Sequence, residues 1–418
     1  CKSNLSHPNK WWSISDTKNQ KSSLVVEKKT EDILYQIEDL LKKAIVSQSI
    51  SDVKLGTFLS GGIDSSLLTA ILNSTYRDKI SALTVSFSNS SKQEGIFDES
   101  MHAEKIANYL SLDHVKIELS QEEAISNIPK LSNIYSEPFA DSSQLPSILL
   151  CEVAKNYGLS VALSGDGGDE LFGGYNRYKY APNIHKIFSK NPSFLNSIYS
   201  KAIKLINPRF IGLNSDPLAK EKIIKLSNAI NNSSDPQTLY SSLLSSETNP
   251  DFFFEIPQAN TLAEELMKAD LQTYLPSDIL VKIDRASMAS SLETRAPFLD
   301  YELAEFALQL PLKFKIKKEN GTIYTKWCLR KILEKYIPKE LFSRPKSGFA
   351  IPLGFWLRGP LKDWAEDLLS EDIFKKYEWF DYEKYNRIWR LHRDTDQDYS
   401  HIIWKVLMAH SWLIDNKF

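Results

Sequence analysis

The chain has 418 residues, is 42% hydrophobic and 25% charged, and carries a formal net charge of −2. Its length suggests two or three domains with a sizeable core, and the near-neutral balance gives no global pull toward nucleic acid or a membrane. Cys1, Cys151 and Cys328 have no paired spacing, which argues against a disulfide framework or zinc site and fits a reducing cytoplasm; no run of about 18 apolar residues marks a membrane span.

Residues 1–30 read as a polar linker. Its "NKWWSIS" sets two tryptophans among polar residues and reads as the continuation of something upstream. Over 31–48, Ile33, Leu34, Ile37, Leu40, Leu41 and Ile45 recur on one helical side. Strand and helix patterns then alternate. Strands are predicted at "VKLGTFL" (53–59), "ISALTVSF" (80–87), "HVKIEL" (114–119) and "LSVALSG" (159–165), with helices over 65–76, 98–110, 121–135 and 146–158. Short apolar strands separated by helices imply right-handed crossovers and an α/β fold, a parallel sheet with helices on both faces. Past about residue 175 no further strand is predicted. Residues 176–260, rich in Ser, Asn, Ile and Lys, read as loosely patterned helices, and the helical pattern runs on to the closing "HIIWKVLMAHSWLI".

Between the first strand and its helix stands "LSGGIDSS", residues 59–66. A loop at the carboxyl end of a parallel strand is where such sheets bind ligands. Backbone N–H groups point outward there, and the helix dipole favours an anion. Gly61 and Gly62 permit close approach, and Ser60, Ser65 and Ser66 supply hydroxyl donors. This is phosphate-binding chemistry without the lysine of a Walker loop. An acid beside a polyphosphate repels it unless a divalent cation intervenes, so Asp64 points to Mg²⁺. A second stretch, "LSGDGGDELFGGYNRY" (163–178), again follows a strand and brings Asp166, Asp169 and Glu170 among five glycines. Asp64 and Asp169 can meet around Mg²⁺ if their strands are neighbours.

"SGGIDSS" resembles the pyrophosphate loop of the N-type ATP pyrophosphatases, a group that includes asparagine, GMP, NAD and argininosuccinate synthetases. The second stretch narrows the resemblance to the asparagine synthetase family. So do "EPFADSSQLP" (137–146), "LPSDILVKIDRASMASSLETRAPFLD" (275–300), and "YTKWCLRKIL" with "RPKSGFAIPLGFWL" (324–333 and 344–357). The likeness runs in order over roughly residues 30–418. It implies an adenine nucleotide α-hydrolase-like core over 31–180 and a mostly helical remainder over 181–418, with 1–30 as the join to an N-terminal glutaminase domain. It also implies MgATP, an acceptor carboxylate such as that of aspartate, and nitrogen from ammonia. Leu59 and Val85 would give backbone contacts around adenine. Ser60, Gly61, Gly62, Asp64 and Ser65 would cradle pyrophosphate, and Ser164 and Gly165 would touch the nucleotide. Asp64 and Asp169 would hold Mg²⁺. Asp166 falls near the reacting carboxylate, and Lys326 matches the lysine that stabilises charge in adenylation and amide formation.

Chemistry supports that last assignment, because attack on the α-phosphorus piles charge on non-bridging oxygens and calls for positioned cations. Arg344 and Lys346 are further cations by a Pro-bounded turn. Asp284, Arg285, Glu293 and Arg295 are expected to form a buried ion-pair network joining helical region to sheet, and His102 and His114 a helix-surface and a strand-start residue. No glutaminase fits in the roughly 30 residues before the synthetase pattern, so Cys1 is not read as a nucleophile and these 418 residues are expected to use ammonia. Two rivals remain: another acceptor on the same fold (a sugar acid, or a β-lactam precursor), and a non-catalytic nucleotide-binding module.

Overall fold

The computed structural model describes residues 11–14, 28–76, 79–87, 100–206, 219–244, 254–343, 351–395 and 397–418. Cys1, Arg344 and Lys346 lie outside the described residues.

Five parallel strands form one sheet: β1 (Leu55–Phe58), β2 (Ser81–Phe87), β3 (Asp113–Leu119), β4 (Val161–Leu163) and β5 (Glu293–Arg295), in the order β3-β2-β1-β4-β5. Register pairs Thr57 with Ala82 on one side and with Leu163 on the other. From β1 the chain steps outward through β2 to β3, then returns to the opposite side of β1 for β4. The direction of winding therefore reverses between β1 and β4, and a crevice opens beyond their carboxyl ends. The two Gly-rich stretches begin there.

Each face of the sheet carries its own apolar layer. Leu55, Ala82, Val161 and Leu163 pack with the helices Thr30–Gln48, Ile63–Thr75 and Tyr301–Gln309. Phe58, Leu83, Val85 and Ala162 face the other way, against Ile148 and the C-terminal Trp356, Trp404 and Leu407. The central strands β1 and β4 are short and buried throughout because both faces of the sheet are covered there. A third layer around Tyr178, Leu239 and Leu266 unites the helices of the middle region. Trp12 donates from Nε1 to Glu305 Oε1 at 2.9 Å, so the tryptophan pair docks on helix Tyr301–Gln309.

Three expectations change. Strands do occur past residue 175. β5 is the sheet's fifth strand, and β6 (Lys317–Glu319) and β7 (Thr322–Tyr324) form an antiparallel hairpin. β5 is an edge strand of three polar residues, without the apolar run that marks buried strands. The hairpin turns at Asn320 and Gly321, both with positive φ, as a type I′ turn requires. The helix predicted over 121–135 is broken into Gln121–Ser126, a 3₁₀ turn at Ile128–Lys130, and Leu131–Ile134. Pro129 lacks the N–H that a continuous helix needs. Finally, Asp284, Arg285, Glu293 and Arg295 form no buried network. Asp284 and Arg285 are exposed and 3.7 Å apart, and Glu293 is exposed where it meets Arg295 Nε at 2.7 Å. Arg295 alone makes a join, donating from Nη1 to the carbonyls of Gln48 and Ile50 at 2.7 and 2.8 Å.

Candidate active site

The first loop leaves β1 at Leu59, whose N–H donates to Leu83 O at 2.9 Å and whose carbonyl accepts from Thr84 Oγ1 at 2.6 Å. His114 backs this contact with Nε2 3.0 Å from Thr84 Oγ1. Val85 is buried in β2 beside it. Ser60 and Ser65 close the turn, their hydroxyls 3.0 Å apart, with Ser60 N donating to Ser65 Oγ at 3.2 Å. Gly61 has φ +73°, and a Cβ there would come within 2.9 Å of Ala103 N. The amino end of helix Ser100–Tyr109, with half-buried His102, thus abuts the loop. Gly62 caps helix Ile63–Thr75 without a side-chain partner for its amino end, and Asp64 stands in its first turn.

The second loop leaves β4. Ser164 N donates to Arg295 O at 2.8 Å, and Ser164 Oγ donates to Asp166 Oδ2 at 2.8 Å. The loops touch: a Cβ on Gly165 would lie 3.0 Å from Asp64 Cβ and 3.1 Å from Ser65 N. Asp169 opens the helix Gly168–Phe172, and Glu170 is buried behind it, accepting from Tyr175 Oη at 2.6 Å. Burial, with Asp169 nearby, pushes the Glu170 carboxyl up to about 7. Burial likewise raises Asp166, with Asp169 adding to the shift and Lys282 opposing it.

Lys326 joins the loops. It caps helix Trp327–Leu333 with φ +51°, a conformation L residues rarely adopt. Its buried amine contacts Asp64 Oδ2 and sits 2.7 Å from Asp169 Oδ1. Burial favours the neutral amine, but Asp169 and Asp64 outweigh it and hold the pKa above the ordinary value. Gly174 makes room, since a Cβ there would overlap Asp169 Oδ1 at 1.8 Å and Lys326 Cε at 2.1 Å. Ser60, Gly61, Gly62, Ser65, both aspartates and Lys326 therefore come together at the carboxyl ends of β1 and β4, with Leu59 and Val85 buried beside them. The donor set suits Mg²⁺: two carboxylates are hard oxygen ligands, and the ion would take its remaining ligands from phosphate and water.

Residue-by-residue reading missed a second charged group. Asp141 meets Lys282 Nζ at 2.7 Å and accepts from Ser143 N and Oγ, both at 2.8 Å. Lys282 also donates to Ser143 Oγ at 2.8 Å. Although burial raises it, the Asp141 carboxyl is drawn down to about 2 by Lys282, while desolvation and then the nearby Asp141 push half-buried Asp278 up to about 7. Lys282 is held high by Asp141, Asp278 and Asp166 against the cost of its burial. The only sequence signal was that these residues fall inside two of the matched stretches. Arg330 was also missed. Its Nε donates to Thr325 O at 2.9 Å, and burial lowers its pKa while Asp64 opposes the shift.

Fold and cleft together define a doubly wound α/β protein with a cation-bridged pair of carboxylates at its switch point. The asparagine synthase family model matches residues 36–414. The chain belongs to the asparagine synthase family. It is 30% identical over 394 residues to the glutamine-hydrolysing asparagine synthetase 1 of Bacillus subtilis (strain 168), covering 93% of this chain and 60% of that protein. Asparagine synthetase 3 of the same organism is 25% identical over 352 residues, 81% and 51% of the two chains. A protein named amidase chry2, from Gibberella zeae, is 22% identical over 378 residues, 82% and 55% of the two chains. The chain thus spans about three fifths of the first of these relatives.

Proposed function

We propose that this chain is an ATP-dependent ligase that activates the side-chain carboxylate of aspartate and converts it to the amide. The observation that carries the reading is Lys326, whose amine bridges Asp64 and Asp169 across the two strand-end loops. A carboxylate oxygen attacks the α-phosphorus of ATP, the bond to the β-phosphate breaks, and pyrophosphate leaves. Ammonia then attacks the activated carbonyl, the bond to AMP breaks, and a proton is lost. Ser60, Ser65 and the helix end at Gly62 offer donors to phosphate oxygens. Lys326, with Arg330 behind it, sets positive charge where the transition state gathers negative charge. Asp64 and Asp169 would hold Mg²⁺, which shields polyphosphate charge when bound. The group of Asp141, Asp278 and Lys282, coupled to Asp166, is the proposed seat of the acceptor. Where a glutaminase is present, on the same or a partner chain, ammonia would come from glutamine.

The test is product balance. With MgATP, aspartate and ammonium, AMP and asparagine should form in equal amounts. Formation of ADP, or ATP turnover that ignores aspartate, would overturn the reading. A sugar acid or β-amino acid turning over faster than aspartate would keep the chemistry and change the acceptor.

A further inference from the structure

The helix Ser193–Lys204 is built inside out. Its most buried positions are polar: Asn196 and Ser200 are 1% and 6% exposed, with Ile203 partly buried beside them. Asn196 Nδ2 donates to Phe188 O at 3.0 Å and Ser233 Oγ at 3.2 Å, and the Ser200 and Ser227 hydroxyls lie 2.8 Å apart. Its outward side is apolar: Phe194, Ile198 and Leu205 are 63%, 57% and 86% exposed. Phe194, Ile198, Lys201 and Leu205 follow one another at spacings of four, three and four, so they form a single stripe. Ordinary surface helices bury such a stripe.

The charge along this part of the chain is one-sided. No aspartate or glutamate occurs between residues 176 and 206, where Lys179, Lys186, Lys190, Lys201 and Lys204 stand. None of these five lysines makes an ion pair among the described residues. The near-zero charge of the whole chain conceals this concentration. We propose that this face docks on an anionic lipid surface, lying in its headgroup layer rather than crossing it. An exposed helix whose apolar stripe carries Lys201 and ends beside Lys204 fits a bilayer interface, where the stripe enters the acyl boundary and the amines reach phosphate. A second copy of the chain would set lysine against lysine. An acidic protein would need a groove to receive the stripe. Among the described residues no helix is long and apolar enough to cross a membrane, which leaves surface docking as the mode. The inference is independent of the acceptor proposed above.

Vesicle flotation of the full chain tests it. Vesicles of phosphatidylcholine alone are compared with vesicles containing roughly one third phosphatidylglycerol at moderate salt. Each lysine near an anionic surface is worth roughly fivefold, so partitioning should favour the anionic vesicles by at least about tenfold. Phe194→Ser with Ile198→Ser should abolish flotation without altering the thermal melt, because both side chains already face solvent. Lys201→Glu with Lys204→Glu should do the same by charge. Equal partitioning to both vesicles, or flotation unchanged in both double variants, overturns the proposal. Self-association in solution that Phe194→Ser with Ile198→Ser abolishes would assign the face to a second copy and overturn it too. Binding to anionic vesicles that the lysine pair governs and the apolar pair does not would reduce the surface to polyanion attraction, which also contradicts it.

Discussion

Replacing Lys326 by Met keeps most of the stem's apolar area and deletes the charge that joins the loops. The side chain is almost wholly buried, and its amine touches Asp64 and, at 2.7 Å, Asp169. Removing one partner of a buried charge pair typically costs about 3–5 kcal/mol, chiefly because the other charge is left uncompensated. Here two carboxylates are left facing each other. Lys326 titrates above its ordinary range in the folded protein, so its contribution is fully present below the unfolded value of 10.5 and lost only as pH rises past it. The destabilisation should accordingly be flat from about pH 6 to 9. Mg²⁺ should restore stability more in the variant than in the parent, since a bound cation would offset the two carboxylates that Lys326 no longer neutralises. Amide formation should not recover: a cation aimed at transition-state charge in a dry site is worth about 10²–10³-fold, and the loss should fall mainly on kcat. Lys326→Arg should also fail, because a planar fork does not reproduce a compact ammonium. The assays are steady-state amide formation and thermal unfolding with and without Mg²⁺. Activity of Lys326→Met within tenfold of the parent would refute the role given to this residue.

Three further outcomes are expected. Asp64→Asn or Asp169→Asn should eliminate ATP–pyrophosphate exchange while leaving the melt within a few degrees, as each leaves Lys326 one carboxylate; exchange at the parent rate would remove that residue from the proposed metal site. Gly174→Ala forces a methyl onto Asp169 Oδ1 and Lys326 Cε, so it should cost about 1–3 kcal/mol of stability and most of the exchange activity; an unchanged melt and rate would show that the cleft yields freely. Glu170, pushed up to about 7 from 4.5, holds its proton more tightly when folded, so stability should decline as pH rises from about 4.5 to about 7. Glu170→Gln should flatten part of that decline, and identical pH profiles for variant and parent would contradict it.

What the sequence revealed and what it hid have separate physical causes. The loops at 59–66 and 163–178 stood out because flexible, polar, acid-bearing turns interrupt apolar strands. β5 was hidden because Glu293, Thr294 and Arg295 lack an apolar pattern and are held by one neighbour, β4. The β6–β7 hairpin carries a turn signal in Asn320-Gly321, but its strands are only three residues each and stand among helices. Lys326 could be named, but its place between Asp64 and Asp169 could not, since 262 residues separate it from Asp64 and only the fold closes that distance. The group of Asp141, Asp278 and Lys282 eluded residue-level reading for the same reason. Its members come from two distant stretches, and in isolation each looks like a surface charge.

In the proposed reaction an acceptor carboxylate attacks the α-phosphorus of ATP. Aspartate labelled with ¹⁸O in its side-chain carboxylate tests it directly. After turnover with MgATP and ammonium, one labelled oxygen should appear in AMP and none in pyrophosphate. Label found in inorganic phosphate, with ADP as the nucleotide product, would mean attack at the γ-phosphorus and would contradict the account.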